Sequence, residues 1–217
     1  LSTNMAHCGA LRIDHVMGLL RLWWCLPGVA DGIYVFYPLT DLLAILRLES
    51  HRNRCLVIGE DLGVVPDELQ AKLSSSGVYS NKVFYFERWH DQQYKLPEDH
   101  SLDALFMVTN HDVPTLAGWW NGSDLQIRSE CGVLGADEEL LELLKQRRED
   151  KRQVLAWLRH LELVPERWTD SAEPLEGRPF DVDLCAAILC ACARSRSRML
   201  LFQLDDLQLI EQPVNIP

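Results

Sequence analysis

The stretch CLVIGEDLGVVPDELQAKLSSSG, residues 55–77, contains one whole unit of the fold. Its first residues form a continuous apolar run, and a run without alternation suits a strand buried on both faces, as in parallel sheets. Glu60 and Asp61 stand where that strand ends. Pro66 then opens a helix and Gly77 stops it. Four other stretches begin the same way: GALRID (9–14), KVFYFE (82–87), LFMVTNHD (105–112) and RMLLFQLDD (198–206). Amphipathic pieces lie between them. LLAILRLESHR follows Asp41 as a cap and carries Leu42, Leu43, Ile45, Leu46 and Leu48 as its apolar stripe.

Residues 136–168 differ, being highly charged, helical in period and without a strand signal. They read as two helices or one broken helix on the periphery, ended by Pro165, with the charge run at 145–152 as a solvated face. Residues 169–181 read as a loop, after which Asp181 or Asp183 caps a helix to about Arg194. Three parts follow: barrel units at 1–135, a helical insertion and loop at 136–180, and a last helix and strand at 181–217. Strands alternating with helices give an α/β fold with right-handed crossovers. An open doubly wound sheet would carry a glycine-rich phosphate loop after its first strand, and none is present. The expected fold is therefore part of a (β/α)8 TIM barrel, since a complete barrel takes about 250 residues.

Composition narrows the function. The chain of 217 residues is 47% hydrophobic and 24% charged, with a formal net charge of −11. That balance disfavours nucleic acid and anionic membrane as partners. There is neither a long apolar run nor a basic leader, and seven scattered cysteines do not form a disulfide framework, so the expected location is cytoplasmic. Cys185, Cys190 and Cys192 cluster in a helical run, but their spacing suits packing rather than zinc.

In a barrel, residues at the carboxyl ends of the strands converge on one site. Asp14, Glu60 and Asp112 hold that position in their own runs. Like charges in one cavity repel, so such a grouping needs a cation or a chemical task. One reading is a metal site with Asp14, His15, Glu60, His111 and Asp112 as ligands. The other is acetal chemistry, in which one carboxylate is the nucleophile and a second the proton donor. Arg12 lies two residues before Asp14, on the same side of a strand, and offers it a counter-charge. Trp23, Trp24, Trp119 and Trp120 follow the carboxylates closely, where rings stack on sugars or fill a core.

The blocks ALRIDHVMGLLRLWW, DGIYVFYPLTDLLAILRLES, CLVIGEDLGVVPDEL, GVYSNKVFYFE, NHDVPTLAGWW and EQPVNIP resemble, in order, those of bacterial 4-alpha-glucanotransferase, or amylomaltase, of the alpha-amylase clan. The resemblance implies transfer of alpha-1,4-glucan segments between maltodextrin donor and acceptor through a covalent glucosyl-enzyme, with no cofactor or metal. It implies Asp14 as nucleophile, Glu60 as general acid/base and Asp112 as transition-state stabiliser. Arg12 and His111 match positions that hold nucleophile and sugar, Phe86 matches an aromatic beside the acceptor, and His15 shapes the pocket. It also implies that the chain corresponds to strands four to eight, with both ends cut and two sheet edges open to self-association. An alpha-glucan hydrolase and an inactive maltodextrin-binding fragment are the alternatives.

Overall fold

The computed structural model describes residues 1–28, 31–63, 65–135, 137–169 and 174–215. Residues 170–173 of the expected loop at 169–181 and the last two residues of EQPVNIP lie outside them. The chain divides into two compact units, one of Leu1–Lys82 with Ser101–Leu105, the other of Val83–His100 with Phe106–Pro217.

The first unit opens with helix α1 (Ser2–Met5) and strand β1 (Ala10–Ile13). A 3-10 turn at Val16–Leu19 leads to an antiparallel hairpin, β2 (Arg21–Trp24) and β3 (Ile33–Phe36), which forms its own two-stranded sheet. Helix α2 (Leu39–Asn53), strand β4 (Leu56–Gly59), helix α3 (Asp67–Ser75) and strand β5 (Val78–Val83) follow, β5 ending at the boundary of the units. β1 pairs with β4 and β4 with β5, all parallel. Leu39, Leu43 and Leu46 of α2 and Leu69 and Leu73 of α3 recur at helical spacing and are buried with Val57 and Val78 in one cluster. That one-sided burial is what holds the helices to the sheet.

Strand β6 (Ala104–Met107) runs across the division and is buried at all four positions, as suits its unbroken apolar run. The second unit continues with α4 (Leu116–Asn121), α5 (Ser123–Glu130), α6 (Asp137–His160), α7 (Val182–Ala193), strand β7 (Met199–Leu201) and α8 (Leu204–Leu207). The main sheet has five strands in the order β1-β4-β5-β6-β7, the half-barrel that alternating strands and helices predict. Asp181 is the N-cap of α7, its carboxylate accepting from the Leu184 N–H at 2.8 Å. Cys185 and Cys192 are buried in α7 and all seven cysteines are free thiols. Among the described residues no helix is long and apolar enough to cross a membrane.

Several elements depart from the sequence reading: α2 begins at Leu39 with Pro38 as its N-cap, so Asp41 lies in its first turn and does not cap it, and β7 stops at Leu201 with LDDL turning as α8. Residues 136–168 hold one unbroken helix, α6, because no proline or glycine interrupts Asp137–His160. The third strand sits earlier than KVFYFE: β5 ends at Val83, and Phe84–Phe86 turn as a 3-10 helix. That turn lets Phe84 stack on Tyr94, with ring centroids 4.7 Å apart, and meet Trp157 at 5.2 Å. RLWW and IYVF, finally, form the β2–β3 hairpin.

Candidate active site

In the first unit, the register pairs Ile13 with Gly59 and Gly59 with Ser80. The next residues along are Asp14 and Glu60, just past the ends of β1 and β4, and Asn81 within β5. Asp14 is exposed and meets the Arg12 guanidinium at 2.7 Å. The i, i+2 spacing puts both side chains on one side of the strand. Glu60 is fixed by backbone donors: the His15 N–H reaches one carboxylate oxygen at 2.9 Å and the Leu62 N–H the other at 2.7 Å. The main chain is tied as well, Glu60 N–H to the Ile13 carbonyl at 2.9 Å and Val16 N–H to the Glu60 carbonyl at 3.0 Å.

His15 thus contributes through its backbone. It has φ 47°, in the left-handed region, which turns its N–H toward Glu60 while its side chain stays exposed. Gly59 makes the approach possible, since a Cβ there would lie 2.9 Å from a methyl of the buried Val16.

In the second unit, Asp112 and His111 lie on the turn after β6, both about half exposed, with His111 Nε2 3.3 Å from the Asp112 carboxylate. The turn is built by buried neighbours. Asn110 is 2% exposed and its Oδ1 accepts from the Asp112 N–H at 2.9 Å, an Asx turn. The fully buried Asp206 of α8 accepts from the Thr109 hydroxyl and, at 2.8 Å, from the Leu116 N–H, so the 110–115 loop is pinned at both ends. Burial raises the Asp206 carboxyl above its ordinary range, while those two donors pull it back. Thr115 caps α4, accepting from Gly118 N–H at 3.1 Å. A cavity of about 340 Å³ opens beside Asp112, walled by Val113, Pro114, Ile127 and Val133.

Phe86 is 56% exposed and lines a cavity of about 930 Å³ with Trp89, Gln92 and Gln146. Trp119 and Trp120 are buried, Trp120 donating to the Arg178 carbonyl at 2.8 Å, so they pack the core and do not stack on sugar. Trp23 and Trp24 are about half exposed on the hairpin. Among the described residues no group of three His, Cys, Asp or Glu side chains is arranged to hold a metal ion. Asn81 and Asp206 escaped the sequence reading, whereas Asn110, two residues before an aspartate, belongs to the NHD block and carries a local turn signal.

The sequence profile of the 4-alpha-glucanotransferase family matches residues 1–217. The chain belongs to the 4-alpha-glucanotransferase family. A relative of that name from Haemophilus influenzae is 39% identical over 219 residues, covering 100% of this chain and 31% of the relative. The crystal structure of amylomaltase from Corynebacterium glutamicum superposes with a TM-score of 0.82 at 27% identity, over 94% of this chain and 29% of that one. Amylomaltase from Streptococcus agalactiae in complex with acarbose shares the fold, with a TM-score of 0.61 at 16% identity over 96% of this chain and 36% of that one. The chain therefore spans about a third of the length of these 4-alpha-glucanotransferases.

Proposed function

We propose that this chain carries the reacting carboxylates of a 4-alpha-glucanotransferase that moves alpha-1,4-glucan segments between maltodextrins with retention. The observation that supports this reading is the register pairing Ile13 with Gly59 at the ends of β1 and β4, which Asp14 and Glu60 directly follow. Paired strands lie about 4.8 Å apart, so residues at their ends can reach the two sides of one glycosidic bond. The acarbose held by the streptococcal protein supports an oligosaccharide as ligand.

In this reading an Asp14 carboxylate oxygen attacks the anomeric carbon while Glu60 gives its proton to the departing glycosidic oxygen. The carbon–oxygen bond to the leaving glucan breaks and a glucosyl ester forms on Asp14. The hydroxyl of an incoming glucan then passes its proton to Glu60 and displaces the ester. Arg12 holds Asp14 in place, Asp112 stabilises the positive charge on the sugar, His111 and Phe86 bind the glucan, and the His15 backbone orients Glu60. The division into barrel units (1–135), helical insertion (136–180) and last unit (181–217) belongs to the same reading. So does a cytoplasmic location, which suits seven free thiols, and so does self-association through edge strands β1 and β7.

The test is incubation of the 217-residue chain with maltotriose. Glucose together with a ladder of longer maltodextrins, lost in Asp14→Asn, supports the proposal. Products that only shorten would make it a hydrolase. Calorimetric binding of maltotriose without turnover would favour a maltodextrin-binding role, which the one-third coverage of the relatives makes the second reading.

A further inference from the structure

We propose that Asn81 is a positioning residue for the Arg12–Asp14 pair, an inference that rests on Asp14 being the nucleophile. Asn81 lies within β5, next after the Ser80 that pairs with Gly59, and is 0% exposed. Its Oδ1 accepts from Arg12 Nε at 2.8 Å, leaving Arg12 Nη1 to reach Asp14 at 2.7 Å. One guanidinium edge is therefore anchored on Asn81 and the other presents the carboxylate. Asn81 is itself held, because its backbone N–H donates to Asp61 at 3.0 Å. Asp61 is 6% exposed, and its second oxygen takes Lys82 Nζ at 3.3 Å. β4 stops at Gly59, so the Asp61 side chain takes over the ladder hydrogen bond that a longer strand would supply to β5.

The Asn81 amide nitrogen and Arg12 Nη2 are buried without a hydrogen-bond partner among the described residues. An amide kept for packing or for its own hydrogen bonds would use both of its ends. Here only the oxygen is used, and it is used on Arg12. A long flexible arginine loses much of its rotamer freedom to make one contact, and an acceptor at Nε fixes the plane of the guanidinium before substrate arrives.

The test compares Asn81→Leu, close in volume but without an acceptor, with Asn81→Asp, which keeps the acceptor. Asn81→Ser replaces the leucine variant if that one does not fold. By NMR on the 217-residue chain, exchange of the Arg12 Nε–H with water speeds up by about tenfold or more in Asn81→Leu and stays slow in Asn81→Asp, as loss or retention of a buried hydrogen bond requires. In parallel, mass spectrometry follows labelling of Asp14 by an activated fluorinated alpha-glucosyl donor. The maximal rate falls by about 10- to 100-fold in Asn81→Leu with little change in the half-saturating donor concentration, as misplacement of a reacting group does. Asn81→Asp labels at close to the wild-type rate.

Unchanged Arg12 exchange in Asn81→Leu overturns the proposal, as does equal impairment of the aspartate and leucine variants. If the wild-type chain takes no label at all, the nucleophile reading is what fails, and the exchange measurement alone decides whether Asn81 holds Arg12.

Discussion

Replacing Glu60 by glutamine separates what this side chain does for the fold from what it does for the chemistry. Both carboxylate oxygens accept backbone N–H groups, from His15 at 2.9 Å and Leu62 at 2.7 Å. Glutamine has one acceptor oxygen, so whichever way its amide is turned, an NH2 group faces one of those N–H groups. The loss is one hydrogen bond to a charged acceptor, worth about 1.5–3 kcal/mol, with the lower end apt for a partly buried group. At this chain length each kcal/mol moves the melting midpoint by about 2–4 °C, so a drop of roughly 3–6 °C is expected. As acid/base, the same change lowers maltotriose disproportionation by about 10²–10⁴-fold. Calorimetry reads the first effect and chromatography of the products reads the second. A lowered midpoint with undiminished transfer would refute the acid/base role. An unchanged midpoint would refute the clamp by His15 and Leu62.

Arg147 and Asp124 form a bidentate pair, both contacts 2.8 Å, with side chains only 11% and 7% exposed. Arg147→Met leaves a buried carboxylate without its cation and costs about 3–5 kcal/mol in urea unfolding, and Asp124→Leu added to it recovers part of the loss. Gly118→Ala drives a Cβ into the Glu211 carbonyl oxygen, so α4 must shift; about 1–3 kcal/mol of destabilisation by the same assay is expected. His100 is 2% exposed, stacked on Phe106 and within 2.9 Å of the Ser195 hydroxyl, and burial lowers its pKa. The folded state then resists a proton that the unfolded chain accepts. Stability is complete above the ordinary histidine range and falls as pH drops below about 6.5, by at most about 1.4 kcal/mol per pH unit, and thermal melts of His100→Gln lose this component.

The strand-and-helix alternation was legible because β4 and β6 are compact apolar runs and α2 and α3 each show one apolar face. The hairpin was not. Trp23, Ile33, Tyr34 and Phe36 are each at least half exposed, so RLWW and IYVF show no alternation of apolar and polar residues to mark a two-sided strand. KVFYF misplaced a strand because its aromatics serve a ring cluster, Phe84 with Tyr94 and Trp157, whose other members are distant in sequence. The carboxylates were readable for a local reason: Asp14 and Glu60 directly follow the strands that carry them. Their supports were not, since Asn81 meets Arg12 across 69 positions and Asp206 meets Thr109 across 97. Only the sheet register and the return of α8 bring those partners together.

The proposed role of Asp14 as the nucleophile is tested most directly by covalent capture. The 217-residue chain is incubated with an activated fluorinated alpha-glucosyl donor, digested and mapped by tandem mass spectrometry. The expected result is one fluoroglucosyl ester on Asp14, absent in Asp14→Asn. A label on Glu60 or Asp112, or a wild-type chain that takes none, would contradict it.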